Sequence, residues 1–286
     1  MEAEIEIDDV RILVTSASGT NGEGYGALLS FDAEGVLLGR FSSDPRIADP
    51  RGMAPDASGS LIYVNSGDER LLALDRGGVV LLDSKRIPGL DPGGGKFGPD
   101  GRYYVTARAR GSVYAMRATL DGHGELVIPE DSVAFPRGFD FGRGGQLYLA
   151  SGIGPSGQGD NTIVVFDGED SQEAEVLVSD TELSPLDLTI SPKETLLVSS
   201  ESPFGAPDAV VSVREYDAVT GQLVRVLAPD PSVDFRRPRG LRLTQEGHLY
   251  WVGEEHVVAF DYPSGGFLGA SIRLERLNGQ AVAIVP

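Results

Sequence analysis

Short apolar runs that close on small polar residues recur along the chain. They are Arg11-Ile-Leu-Val-Thr-Ser16, Leu61-Ile-Tyr-Val-Asn-Ser66, Arg102-Tyr-Tyr-Val-Thr-Ala107, Gln146-Leu-Tyr-Leu-Ala-Ser151, Thr195-Leu-Leu-Val-Ser-Ser200 and Leu249-Tyr-Trp-Val-Gly-Glu254. Runs this short, rich in β-branched and aromatic side chains, predict buried strands, and no stretch keeps a helical apolar period. An aromatic or apolar residue before a turn follows each run: Phe31-Asp32, Leu74-Asp75, Met116-Arg117, Phe166-Asp167, Tyr216-Asp217 and Phe260-Asp261, at spacings of 43, 42, 50, 50 and 44 residues. A third marker precedes the run: Pro50-Arg-Gly52, Pro136-Arg-Gly138 and Pro238-Arg-Gly240, with Pro185-Leu-Asp187 and Gly93-Gly-Gly95 in the intervening units.

The markers define six copies of about 48 residues, the length of a four-stranded blade, and so predict an all-β fold, a six-bladed β-propeller. The expected blades are residues 278–286 plus 10–44, then 45–87, 88–131, 132–181, 182–232 and 233–277. The first copy lacks an opening strand, while Leu277-Asn-Gly-Gln-Ala-Val-Ala-Ile-Val285 has the pattern of that strand and no blade of its own. The C-terminal strand is therefore expected to pair into the first blade and close the ring, making one domain with no open inner edge. The 38 glycines and 18 prolines supply the turns that so many hairpins need.

Charge then narrows the function. The chain carries 43 acidic and 24 basic residues, a net charge of −19, and no cysteine. An acidic surface of this kind does not suit a phosphate backbone, so no nucleic-acid partner is expected. Without cysteine, disulfides, zinc ribbons, thiol nucleophiles and iron–sulfur clusters are excluded, and the redox compartment stays open. The longest apolar runs, such as Ala281-Val-Ala-Ile-Val285, fall far short of the roughly 20 residues of a membrane helix, and Met1-Glu-Ala-Glu4 is not a basic-then-apolar leader. A soluble monomer is expected, with no membrane partner, either cytoplasmic or exported with a leader already removed. Much of the negative charge maps to hairpin turns of one face, at Asp32, Asp56, Asp75, Asp100, Asp167, Asp217, Glu246 and Asp261, where a carboxylate caps local amides.

The opposite face differs. Three of the six inner-strand starts place Arg51, Arg137 and Arg239 at one equivalent position beside a glycine, Arg236 and Arg237 precede the third, and Lys96 lies near the start of an intervening blade. Leaning inward, these side chains form a positive funnel suited to a carboxylate or phosphate. In the alternative they bridge neighbouring blades by pairing with Asp49, Asp234 or loop carbonyls. A second ring, at the ends of the apolar runs, reads Ser16, Ser66, Ala107, Ser151, Ser200 and Glu254, where small residues answer to packing and Glu254 stands out. Asp187, Glu201 and Glu254 together would make an acid/base pair or a hard-cation site, and taken singly they read as ordinary surface charge. The loops over 16–26, 151–161 and 200–208 are longer than that over 66–70 and add binding surface. Tyr25 and Phe204 are the stacking candidates there. Trp251 is expected in the core, in a column with Tyr63, Tyr104 and Tyr148.

The succession of Pro-x-Gly, Pro-Asp-x-x-Gly as in Pro55-Asp-Ala-Ser-Gly59, an apolar strand and Phe-Asp resembles NHL-type repeats. It is also similar to the wider gluconolactonase-like, senescence marker protein-like propellers, over nearly the whole chain. That resemblance implies calcium ligands near the inner-strand starts, yet the comparable positions here are Arg51, Arg137, Leu186, Arg239 and Asn278, of which Asn278 alone offers a suitable oxygen. Glu254-Glu255-His256 resembles the Glu-x-His of virginiamycin B lyase, which implies magnesium. Its partner histidine is missing, since His123 and His248 fall on turns of the other face or at strand starts. His256 alternatively bonds only its own loop.

Two functions remain. The favoured one is a binding propeller that holds an anionic small molecule or an acidic peptide segment at a mouth lined by Arg51, Arg137, Arg239, Lys96, Asn278 and Tyr25. The alternative is a lyase or lactone hydrolase using Glu254, Glu201 and His256, with calcium or magnesium on Asp187, Glu201 and Glu254. The chain has no P-loop, no G-x-S-x-G, no H-E-x-x-H and no EF-hand calcium loop.

Overall fold

Apolar residues on both faces of a strand demand a neighbour on each side, and a ring of radially stacked sheets supplies it. The computed structural model describes residues 10–18, 24–122, 124–153, 161–168, 173–201 and 211–285. Within them lie six four-stranded antiparallel sheets. From the axis outward, the first sheet is β24 (Gly279–Val285), β1 (Arg11–Ser16), β2 (Ala27–Phe31) and β3 (Leu37–Arg40). The second is β4 (Met53–Pro55), β5 (Leu61–Ser66), β6 (Arg70–Asp75) and β7 (Val80–Asp83). The third is β8 (Pro92–Phe97), β9 (Tyr103–Ala107), β10 (Ser112–Met116) and β11 (Glu125–Ile128). The fourth is β12 (Pro136–Phe141), β13 (Leu147–Ser151), β14 (Thr162–Phe166) and β15 (Glu175–Ser179). The fifth is β16 (Pro185–Ile190), β17 (Thr195–Ser200), β18 (Ser212–Asp217) and β19 (Leu223–Leu227). The sixth is β20 (Leu241–Leu243), β21 (His248–Val252), β22 (His256–Asp261) and β23 (Gly266–Arg273). None of the described residues forms a helix long and apolar enough to cross a bilayer.

The expected closure is present. β24 pairs antiparallel with β1 from Arg11 opposite Val285 to Ser16 opposite Gly279, so the last residues of the chain supply the inner strand of the first blade. The inner strands contact one another in the cycle β24, β4, β8, β12, β16, β20 and back to β24. Six apolar wedges fill the gaps between blades. Leu13 and Leu28 pack with Ile62 and Val64 on one side of the first blade, while Ile12, Val14 and Leu29 pack with Val252 and Val257 on the other. Alternating residues of one strand thus enter two different wedges, the period-two rule applied to both faces.

Outward hairpin turns are held as their composition predicts. Asp56 Oδ1 accepts from the Ser60 and Leu61 amides at 2.8 and 3.1 Å, and Asp217 Oδ1 from Val219 and Thr220 at 3.0 and 2.7 Å. Asp32 and Asp75 cap their turns in the same way.

One register differs from the sequence expectation. Trp251 pairs with Leu241 as Val64 pairs with Met53 and Val105 with Gly95, so the residue matching Tyr63, Tyr104 and Tyr148 is Tyr250. Gly253, not Glu254, therefore takes the place of Ser66, and Glu254 stands one residue further into the turn. Leu249-Tyr-Trp-Val is apolar throughout, so hydropathy alone cannot separate two registers one residue apart. Trp251 is fully buried, as expected.

Candidate functional site

Where the six inner strands begin, they enclose a cavity of about 550 Å³ around the axis. Its lining carries seven cationic side chains, Arg51, Lys96, Arg108, Arg137, Arg237, Arg239 and Arg242, against two carboxylates, Asp49 and Asp187. The local sign is the reverse of the −19 carried by the whole chain.

The charges stand on two levels. Met53, Phe139 and Leu241 are equivalent by pairing, so Arg51, Arg137 and Arg239, two residues before each, share an upper level. Lys96, Asp140 and Arg242 each follow the equivalent residue by one and share a lower level. Three residues separate the levels, by less than the roughly 10 Å of fully extended chain, because the register shifts before Phe139. Glycine is required between them in the fourth blade, because a Cβ on Gly138 would collide with the Asp187 carboxylate and come within 2.6 Å of the Asp187 Cα.

Most of the cations are neutralised. Arg51 pairs with Asp91 at 2.9 Å and Asp49 at 3.6 Å, and Arg108 shares Asp91 at 2.7 Å. Arg239 donates to Glu201 at 3.2 Å and to the Pro238 carbonyl at 2.7 Å, and Arg237 pairs with Glu254 at 2.9 Å. On the lower level Lys96 Nζ lies 2.9 Å from both Asp140 Oδ2 and the Leu188 carbonyl. The same Asp140 oxygen accepts from Thr189 Oγ1 at 2.9 Å and the Ile190 amide at 3.0 Å. Bridging between blades is thus what Arg51 and Arg239 do, with Asp91 and Glu201 as the main partners, while Asp234 is taken by Arg236 at 2.6 Å.

Two guanidiniums are left. Among the described residues the Arg137 guanidinium makes one hydrogen bond, to the Ile153 carbonyl at 3.0 Å, and lies 5.2 Å from the Phe135 ring centre, with Arg108 at 5.5 Å from the same ring. Its Nε is buried with no partner. Burial holds its pKa down to about 10, with Arg239 adding to the effect and Glu201 opposing it, so it remains a cation at neutral pH whose charge is under-compensated. Arg242 makes no hydrogen bond or ion pair among the described residues. Burial lowers its pKa as well, against the opposing pull of Asp140 and Asp187. Asp187 is spent on backbone: its oxygens accept from the Leu188 and Leu241 amides, both at 2.9 Å, and burial raises its pKa despite Lys96 and those amides.

The remaining expected residues are dispersed. Asn278 lines the cavity, but its Nδ2 donates to the Ala17 carbonyl at 3.1 Å and its backbone sits at φ 41°, so it serves the blade junction. Tyr25 is 36% exposed and lies outside the cavity lining, as do Glu201, Glu254 and His256. His256 opens β22, is buried, and has an unpartnered Nδ1; burial lowers its pKa, with Arg273 adding to this and Glu255 and Asp234 opposing. Phe204 and His123 fall outside the described residues. Asp187, Glu201 and Glu254 do not converge, and among the described residues no three His, Asp or Glu side chains form a group able to hold a metal. With guanidiniums at the positions where the resemblance implies calcium ligands, the donor set does not fit that ion.

Arg242 and Asp140 escaped the sequence reading, although a signal was there. Lys96, Asp140 and Arg242 each sit between apolar or glycine neighbours in an inner strand, in Gly95-Lys-Phe97, Phe139-Asp-Phe141 and Leu241-Arg-Leu243. A charge in the middle of a buried strand needs a counter-charge or a cavity.

No protein-family model matches the chain, and no curated protein sequence matches it. Solved structures do. A chain of a nidogen/laminin complex superposes with a TM-score of 0.74 at 14% identity, over 97% of this chain and 98% of that one. The likeness is one of fold. A gluconolactonase from Xanthomonas campestris gives 0.60 at 18% identity, over 79% of this chain and 76% of that one. A streptogramin B lyase gives 0.57 at 16% identity, over 84% and 75%. The propeller architecture read from the repeats is therefore shared with lactonase and lyase scaffolds, while the arginine-lined cavity is argued from this chain's own residues.

Proposed function

We propose that this propeller binds an anionic small molecule in the axial cavity, with Arg137 and Arg242 as its principal contacts. One observation carries the reading: in a chain of net charge −19, two partly buried guanidiniums line the axial cavity without an ion-pair partner among the described residues. A desolvated cation lacking a counter-charge destabilises the fold until an anion restores what water has lost, and a guanidinium matches carboxylate or phosphate oxygens in bidentate geometry. A volume near 550 Å³ falls in the range of small-molecule sites. The acidic surroundings slow anion approach, so selectivity comes from inside the cavity rather than from long-range steering.

Titration calorimetry at low ionic strength with inorganic phosphate, citrate and succinate tests the reading. Wild type is expected to bind at least one of them, and Arg137→Gln to lose about 1.5–3 kcal/mol, roughly tenfold to a hundredfold in Kd. Raising the salt should weaken binding only modestly, since buried pairs are screened less than exposed ones. No binding by wild type, or unchanged affinity in the variant, overturns it.

A further inference from the structure

The two guanidiniums that have no ion pair among the described residues are not neighbours. Arg137 stands on β12 at the upper level and Arg242 on β20 at the lower level, two blades further round the ring. One is beside Gly94 and Gly152; the other is three residues deeper along the inner wall. The other cations of the lining are held by partners: Arg51 and Arg108 by Asp91, Arg239 by Glu201, Arg237 by Glu254 and Lys96 by Asp140. Asp187 also lies between them, its carboxylate turned to the Leu188 and Leu241 amides. A single compact anion placed at one guanidinium leaves the other uncompensated. It also brings its charge towards Asp187 or Asp140, depending on the level it chooses.

Resting on the anion-binding reading, we propose that the ligand is an elongated molecule with an anionic group at each end, one end on Arg137 and the other on Arg242. Its middle passes the inner-strand glycines Gly94, Gly138 and Gly240, which line the cavity where neighbouring strands press together. The three residues between the levels span up to roughly 10 Å along a strand, and the two arginines stand on different blades. The anionic groups of the ligand are therefore separated by several bonds rather than sharing one carbon or one phosphorus. Carboxylate and phosphate ends satisfy the same guanidinium geometry.

The length of the ligand gives a direct test on the unmodified protein. Calorimetry at low salt would compare malonate, succinate, glutarate, adipate, pimelate and suberate with hexanoate, which has the chain but only one charge. Affinity is expected to pass through a maximum along the dicarboxylates, with the best of them binding about tenfold or more tighter than hexanoate, in line with one additional charged contact. In Arg242→Gln, and in Arg242→Met should the first variant fold poorly, the advantage of the dicarboxylate over hexanoate should disappear while hexanoate affinity stays within about twofold. Equal affinity for mono- and dicarboxylates in wild type overturns the two-ended ligand and leaves the anion site standing. Failure of every anion to bind overturns the anion site itself.

Discussion

Asp140→Ala should lower the free energy of unfolding by about 3–5 kcal/mol, because it strands the Lys96 ammonium in a desolvated site. Asp140 is the staple of the lower level. From the fourth blade it accepts Lys96 of the third at 2.9 Å, and Thr189 Oγ1 and the Ile190 amide of the fifth at 2.9 and 3.0 Å. Removing it leaves a buried charge and two buried donors unsatisfied at once. Urea unfolding at constant slope reads the loss as a shift in midpoint. The double variant Lys96→Met with Asp140→Leu should recover much of it, since replacing both members of a buried pair by apolar groups is close to neutral. A double variant as unstable as the single one would contradict this account of the network.

The same group sets an acid response. Burial raises the Asp140 pKa, but the Lys96 charge and the bonds from Ile190, Lys96 and Thr189 outweigh it and hold the carboxyl below its ordinary 3.8. A depressed folded pKa means that the unfolded chain takes up the proton first, so the contribution is complete above 3.8 and disappears as pH falls through the folded value. Asp187, raised by its burial, acts with the opposite sign: its share is present at low pH and lost as pH rises through its folded value. The stability gap between wild type and Asp140→Ala should therefore narrow on acidification below 3.8. A gap that is constant with pH would show that Asp140 is not charged in the folded protein.

Trp251→Ala should cost about 3–5 kcal/mol, the penalty of deleting a fully buried aromatic. The indole is inaccessible to solvent, lies 4.5 Å from the Phe235 ring centre, and donates from Nε1 to Ser199 Oγ at 2.8 Å across the blade interface. It also pairs with Leu241, the residue before Arg242, so the cavity opened by the substitution lies directly behind the wall that presents that guanidinium. Where the variant stays folded, calorimetry should find weaker anion binding as well as a lower thermal midpoint. Trp251→Phe keeps most of the apolar area and loses the bond to Ser199, so about 1 kcal/mol is expected. An alanine variant as stable as wild type would mean that the sixth blade does not rely on this wedge.

Of the six-bladed ring, nearly everything was legible along the chain, and the reason is locality. Each blade is a succession of hairpins between neighbours in sequence, its turns are written in Asp and Gly, and its apolar runs must be covered on both faces, which stacked sheets alone achieve. Even the closure followed from counting strands, since the segment that ends at Val285 matched the strand missing before Arg11. The register of β21 was not legible, because an unbroken apolar run looks the same when shifted by one residue.

The site was read only in part. That Arg51, Arg137 and Arg239 share a level follows from the repeat, but their repeat cannot say which of them keeps a free charge. That was decided by residues of other blades: Asp91, 40 positions from Arg51, and Glu201, 38 positions from Arg239, neutralise two of the three. Among the described residues the fourth blade brings no carboxylate to Arg137, which instead lies along Phe135. Arg242 became part of the site only when the ring turned its strand towards the axis. Sequence by itself determined the elements, their order and the sign of charge at each repeat position, because these depend on neighbours along the chain. Which charges remain unpaired was left to the tertiary structure, because an ion pair depends on distance through space, and closing the ring sets those distances.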